Sequence, residues 1–353
     1  MKRRYFLSLA TLLALGGGAA GLNACARGQG AAESLPRNVG FVVANKQLNF
    51  SKEMIEGFRS GVAQVGGVQD EEVGPDIVDG AKQLQLFQEL TGTAKGGISV
   101  FTLSPELFSG PLADAGHSGI PVIAVDSPPL PASGVTLFVG NDNYELGKMI
   151  ADQVIAELPA KATGRIVIGT SSPGVPVLAL RARGIRDEIK AKLPGVTPFG
   201  PLDTKQEVAA NEAAWRTLVK VNPRALAFIG TGDADGWNLA KIRRSTKGKW
   251  LAGAFDLDPK SLAAVKHRDL VLVSPEHFIK GAVAGRLQAQ HAKDGKPLPE
   301  GWIYTPGLAV NGDNIDEILA RQASPQAKAA GLAAEIDKIM AGSAHPRPLK
   351  DVG

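Results

Sequence analysis

Residues 119–147 read GIPVIAVDSPPLPASGVTLFVGNDNYELG, and this stretch decides the fold. Ile120 to Val125 is apolar, β-branched and bounded by turn formers, the pattern of a strand buried on both faces of a parallel sheet. It stops at Asp126. A carboxylate at the carboxyl end of such a strand stands where open α/β sheets bind ligands, so Asp126 is the first candidate contact; a turn cap ahead of the prolines is its plainer reading. Beyond the Pro-rich connection, Val135 to Val139 reads as a second strand, and Gly140-Asn141-Asp142-Asn143 caps an amphipathic helix starting near Tyr144. Strand, connection, strand and helix mark a place where the chain can leave one lobe and enter another.

Working outward, strand and helix alternate on both sides. Upstream, Asn38 to Ala44, Asp76 to Val78 and Ile98 to Leu103 read as strands. Between and after them, Ser51 to Val65, Ala81 to Leu90 and Pro105 to Ala115 read as helices, the first with Met54, Ile55, Phe58, Val62 and Val65 on one face. Downstream of a helix from Tyr144 to Leu158, strands at Arg165–Gly169, Val196–Leu202, Ala225–Ile229, Trp250–Phe255 and Leu270–Val273 enclose helices at Val177–Leu193, Glu207–Val221, Asp235–Arg244 and Pro259–His267. Phe278 to His291 is a further helix and Trp302 to Tyr304 a last strand. From Ser324 the sequence turns Ala-rich, then Pro-rich and basic, the mark of an appended helix with a frayed end. The expected fold is therefore α/β: two doubly wound, Rossmann-like lobes with parallel central sheets.

The 353-residue length fits two such lobes. The first 25 residues combine a basic start, an apolar segment from Tyr5 to Leu15 and small residues ending Leu22-Asn23-Ala24-Cys25, the layout of a signal peptide with a lipobox. Cys25, the sole cysteine, is the expected lipidation site, and residues 26–37 a tether. Arg3-Arg4 leaves Sec and twin-arginine export both open. Removing the leader's Lys2, Arg3 and Arg4 lowers the formal charge from +4 to about +1, which gives no argument for a nucleic-acid partner.

Other motifs fail on inspection. Gly169 to Gly174 has the glycine spacing of a phosphate loop, but Val175 and Pro176 stand where Lys and Ser/Thr are required. Gly230-x-Gly232-x-x-x-Gly236 misses the dinucleotide spacing by one residue. Asp233-x-Asp235 and Asp256-x-Asp258 have no acidic residue closing a calcium loop, and the histidines lack metal spacing. No cofactor and no metal are expected.

One ordered set remains: Gly119-Ile120-Pro121-Val122 with Asp126, Gly140 to Asn143 with Gly147, Arg181-x-x-Gly184-Ile185, Gly253-Ala254-Phe255-Asp256 with Pro259, and Gly281. Over residues 38–320 it resembles type I periplasmic binding proteins of the ribose-binding kind. The resemblance implies a hinge of three crossings, near Gly140, Glu276 and Thr305. The N-terminal lobe would then comprise 38–139 plus 277–304 and the C-terminal lobe 140–276 plus 305–321, with 322–353 as a tail. It also implies the ligand contacts: Phe50, Asp126, Arg181, Phe255 and Asp256 by family position, with Asn141 at the hinge and Glu276 where the family usually has Gln. Trp237, beside the cleft end of a strand, is added on placement. Core packing is the competing reading for Phe50 and Phe255, helix capping for Asp256. The sequence departs from ribose binders at Ser127, where they have Arg, and at Gly232, where they have Asn. Three carboxylates against Arg181 suggest a net negative site, favouring a neutral sugar and leaving amino sugars or cations open.

The expected function follows from the resemblance. An exported monomer captures a monosaccharide-like solute by hinge closure and delivers it to an ABC importer's permease, tied to the membrane by its lipid. Two other classes stay open: a module presenting bound sugar to a membrane receptor, and an exported glycoside-processing enzyme with Asp126 and Glu276 as its carboxylate pair.

Overall fold

The computed structural model describes residues 37–352; the expected leader, Cys25 and all but the last residue of the tether lie outside them. The chain runs β1 (Asn38–Val42), α1 (Asn49–Val65), β2 (Gln69–Val73), α2 (Gly80–Thr93), β3 (Gly97–Val100), α3 (Pro105–His117), β4 (Val122–Val125) and β5 (Leu137–Gly140). It continues with α4 (Asn143–Ala156), β6 (Gly164–Thr170), α5 (Pro176–Lys192), β7 (Val196–Asp203), α6 (Val208–Val221), β8 (Ala227–Gly230), α7 (Asp233–Thr246), β9 (Leu251–Phe255), α8 (Pro259–Lys266) and β10 (Val271–Ser274). The last elements are α9 (His277–Asp294), β11 (Gly301–Tyr304), β12 (Leu308–Val310), α10 (Ile315–Arg321) and α11 (Pro325–Gly342). Two six-stranded sheets result, ordered β11-β5-β4-β3-β1-β2 and β12-β10-β9-β8-β6-β7. All pairs are parallel except β10 with β12, and helices cover both faces of each sheet. That is the alternation's consequence: right-handed crossovers place helices on both sides, and strands so buried are apolar throughout.

Two helix pairs hold the lobes in shape through glycine. A Cβ at Gly57 or Gly61 of α1 would lie 2.0 or 2.2 Å from the Phe278 or Ala282 carbonyl oxygen of α9, and one at Gly281 1.9 Å from the Met54 oxygen of α1. In the other lobe, a Cβ at Gly147 of α4 would lie 2.1 Å from the Arg181 oxygen of α5, and one at Gly184 2.1 Å from the Tyr144 oxygen. Any side chain would force these backbones apart. The same helices carry Lys280 and Arg181, so the close approach also positions the site.

Two expectations are corrected. Residues 76–78 form no strand; Ile77 is 71% exposed, and the strand lies earlier, at Gln69–Val73. It is the sheet's edge, and its polar, exposed sequence QDEEV gave no apolar signal. The tail, expected to fray, is instead packed. Leu332 and Ile336 of α11 join the core of the first sheet, while α10, at the end of the C-terminal lobe ahead of the tail, sends Ile315 and Ile318 into the core of the second. Lys328 reaches Glu56 at 2.7 Å and Glu53 at 3.3 Å on α1, and Arg286 of α9 pairs with Asp337 at 2.6 Å. Arg347 then pairs backbone to backbone with Trp302 of β11, at 2.7 and 2.9 Å. Residues 322–324 thus make a fourth passage between the two sheets' territories.

Candidate functional site

The carboxyl ends of both sheets face one cavity, lined by side chains from either side. One side carries Phe50, which opens α1, with Phe101, Leu103 and Asp126 just after β3 and β4. The other carries Ser171 after β6, Arg181 from α5, and Asp233 and Asp256 after β8 and β9. His277, at the start of α9, stands where the chain passes from one sheet to the other.

The strand ends share a backbone device. Asp126 has φ 63°, Asp256 φ 73° and Glu276 φ 52°, left-handed values that a non-glycine residue holds only when its surroundings enforce them. Two of them, Asp126 and Asp256, also sit at the ends of a chain of polar contacts. Lys280, fully buried, forms an ion pair with Asp126, and its Nζ lies 3.3 Å from His277 Nδ1. His277 Nε2 lies 2.9 Å from Asp256 Oδ1. Burial would push the Asp126 carboxyl up, but Lys280, His277 and Arg181 together outweigh it and hold it at about 2. Burial first, then the Lys280 ammonium, push the His277 imidazole down, towards its neutral form.

Arg181 is fixed just as firmly. Its Nε donates to Asn143 Oδ1 at 2.9 Å and its Nη1 to the Thr231 carbonyl at 3.0 Å, while the guanidinium lies 4.4 Å over the Phe255 ring. Asp256 is free of capping duty, because Asp258 caps α8 by accepting from the Lys260 and Ser261 amides.

Of the sequence candidates, the structure brings Phe50, Asp126, Arg181 and Asp256 to the cavity. It places four elsewhere. Phe255 is wholly buried beneath Arg181. Asn141 works in the hinge, donating to the Thr305 carbonyl at 2.7 Å, beside the bond from the Thr305 amide to the Gly140 carbonyl. Glu276 is held by Arg321 at 2.8 Å and does not line the cavity, so Asp126 and Glu276 do not face each other across it as a hydrolytic pair. Trp237 turns away, its ring covered by Lys260 at 4.5 Å and Lys241 at 5.6 Å. Lys280 pairs with Asp126 and Arg321 with Glu276, while Asp233 adds a carboxylate to the cavity that the sequence reading did not count.

Sequence reasoning missed Ser171, Asp233, His277 and Lys280. One signal was there: Lys280 is a lone charge within the apolar run Phe278 to Gly285. Among the described residues, no cluster of three His, Cys, Asp or Glu side chains is placed to hold a metal, and no helix is long and apolar enough to cross a membrane.

Solved structures with this arrangement include GanP, a glucose-galactose binding protein from Geobacillus stearothermophilus (TM-score 0.71, 21% identity, 80% of this chain and 99% of that one). An ABC transporter solute-binding protein from Burkholderia graminis in complex with D-arabinose matches with TM-score 0.73 and 23% identity over 80% of this chain and 98% of that one. A carbohydrate transporter solute-binding protein from Agrobacterium radiobacter, also with D-arabinose, gives TM-score 0.71 and 19% identity over 82% and 98%. A search of curated protein sequences returned no match. At these identities the structures establish the fold. A periplasmic binding protein domain model matches residues 39–297, most of the chain, and on that match the chain belongs to the periplasmic binding protein family.

Proposed function

We propose that the protein captures a monosaccharide-like solute between its lobes and delivers it to an ABC importer, closing around the ligand without chemistry upon it. The observation that carries this reading is the cavity itself, lined from the carboxyl ends of two sheets that the chain joins by repeated crossings. A ligand touching both sides favours the closed arrangement by its differential affinity for it. The lining suits a sugar: Phe50 and Phe101 offer apolar faces to C–H surface, and Asp126, Asp256 and Arg181 offer hydroxyl partners. The glucose-galactose and arabinose binders of the same fold point to the same ligand class. The family goes with an extracytoplasmic location, and Cys25 would supply the lipid anchor in this reading.

A thermal-shift screen against pentoses, hexoses, polyols and amino sugars tests it. A ligand at a hundred times its Kd stabilises the folded state by about 2.7 kcal/mol. The reading predicts a clear rise in Tm with at least one sugar, lost in Arg181→Ala. No rise across the panel would overturn it.

A further inference from the structure

The cavity's polar groups are of two kinds. Asp126, Lys280, His277 and Asp256 satisfy one another. Ser171 and Asp233 do not. Ser171 Oγ and Asp233 Oδ1 are both buried, both belong to cavity-lining residues, and neither has a hydrogen-bond partner in the protein. Leaving such groups unpaired costs free energy, so native proteins do it sparingly.

Structural duties do not account for them. The N-terminus of α7 is closed by Asp235, which accepts from the Gly232 amide at 2.9 Å and is itself held by Thr204, Asn211 and Trp215. Asp233 caps nothing. Gly232 keeps the serine in place: a Cβ there would lie 2.2 Å from Ser171 Oγ. The bare position 232 therefore leaves the Ser171 hydroxyl to serve this wall.

The surrounding charge indicates what the pair takes. The carboxylates acting on Asp233 are Asp235 on its own helix, Asp256 and Asp258 from the turn before α8, and Glu53 from α1. The site's cations are engaged elsewhere, Lys280 on Asp126 and Arg181 on Asn143 and Thr231. Burial, followed by those carboxylates, pushes the Asp233 carboxyl above the usual carboxylate range and so favours its protonated form in the free protein. A ligand hydroxyl brings one donor; a protonated amine brings up to three and needs only acceptors, which is what a serine oxygen and a carboxylate provide.

We propose that Ser171 and Asp233 form an amine subsite in the cleft, so that the solute is a polyhydroxylated ring bearing a protonated amino group, of the amino sugar class. This rests on the solute-capture reading above. On binding, the ammonium donates to Ser171 Oγ and Asp233 Oδ1, and the proton of the Asp233 carboxyl leaves to solvent. The ligand keeps its charge, and up to one proton is released per ligand bound.

Isothermal titration of the purified protein tests this, with glucosamine, galactosamine and mannosamine beside glucose, galactose and mannose, in two buffers of different ionisation heat. The expected result is that an amino sugar binds at least about tenfold more tightly than its neutral counterpart, with proton release. Asp233→Asn should abolish both the preference and the proton release. Ser171→Ala should weaken the amino sugar more than its neutral counterpart. Neutral sugars binding as tightly as amino sugars, or a preference that survives Asp233→Asn, would overturn the subsite while leaving solute capture standing. Binding of neither class by protein that circular dichroism shows folded would overturn the capture reading, and the subsite with it.

Discussion

The cavity has a paired end and an unpaired end. At the first, Asp126, Lys280, His277 and Asp256 form a continuous chain that spans both sheets and includes two of the residues with left-handed φ, Asp126 and Asp256. At the second, Ser171 and Asp233 present buried oxygens with no partner. The difference separates two jobs. A pre-paired network fixes the shape of a site and leaves little to be reorganised on binding, whereas unpaired groups discriminate, because only a ligand that supplies their missing partners recovers the cost of burying them.

Lys280→Met attacks the paired end and has the largest expected effect. It strands the Asp126 charge, and breaking a buried pair from one side typically costs about 3–5 kcal/mol, measurable by urea denaturation. Asp126→Asn added to it should recover much of the loss. The pair also predicts acid behaviour. Asp126 is depressed from 3.8 to about 2, so its contribution is present above pH 3.8 and lost as pH falls through about 2. An unchanged acid limb in Lys280→Met would contradict this.

Gly281→Ala reaches the same end indirectly. The new methyl would meet the Met54 carbonyl and push α9, with its Lys280, off α1. Overpacking of this kind costs about 1–3 kcal/mol, and ligand affinity should fall with the melting temperature. At the unpaired end the sign reverses. A carboxyl whose folded pKa is raised stabilises below its ordinary pKa and loses that contribution as pH rises through the folded value. Asp233→Asn should therefore stabilise the ligand-free protein at alkaline pH, an advantage that fades as pH falls through the acid range, read by urea denaturation across pH. The smallest effect is expected of Trp237→Ala, whose ring lies under Lys241 and Lys260 away from the cavity; calorimetry should show affinity unchanged within about twofold.

How much of this was legible follows from where each residue's partners lie. The alternating strands and helices announced both sheets because parallel strands buried on two faces are uninterruptedly apolar. Gly147, Gly184 and Gly281 stood out as fixed points, and the helix contacts explain why: each sits where a neighbouring backbone leaves no room for a Cβ. Asp126 could be named from its position at a strand end, and Asp256 from family position; both line the cavity. Glu276, also named from family position, is drawn off the cavity by Arg321, 45 residues further on. Lys280 could not be placed without knowing that α9 passes beneath the end of β4, 154 residues earlier in the chain. The strand at residues 69–73 escaped because an edge facing water has no apolar rhythm to read.

The packed tail has a mechanical consequence. Arg321 ends a helix seated on the second sheet's core, and Pro325 begins one seated on the first. However widely the cleft gapes, the short span between those residues cannot stretch beyond about 14 Å. The fourth passage is thus a check-strap, like the one on a door: it leaves the swing free but sets its stop.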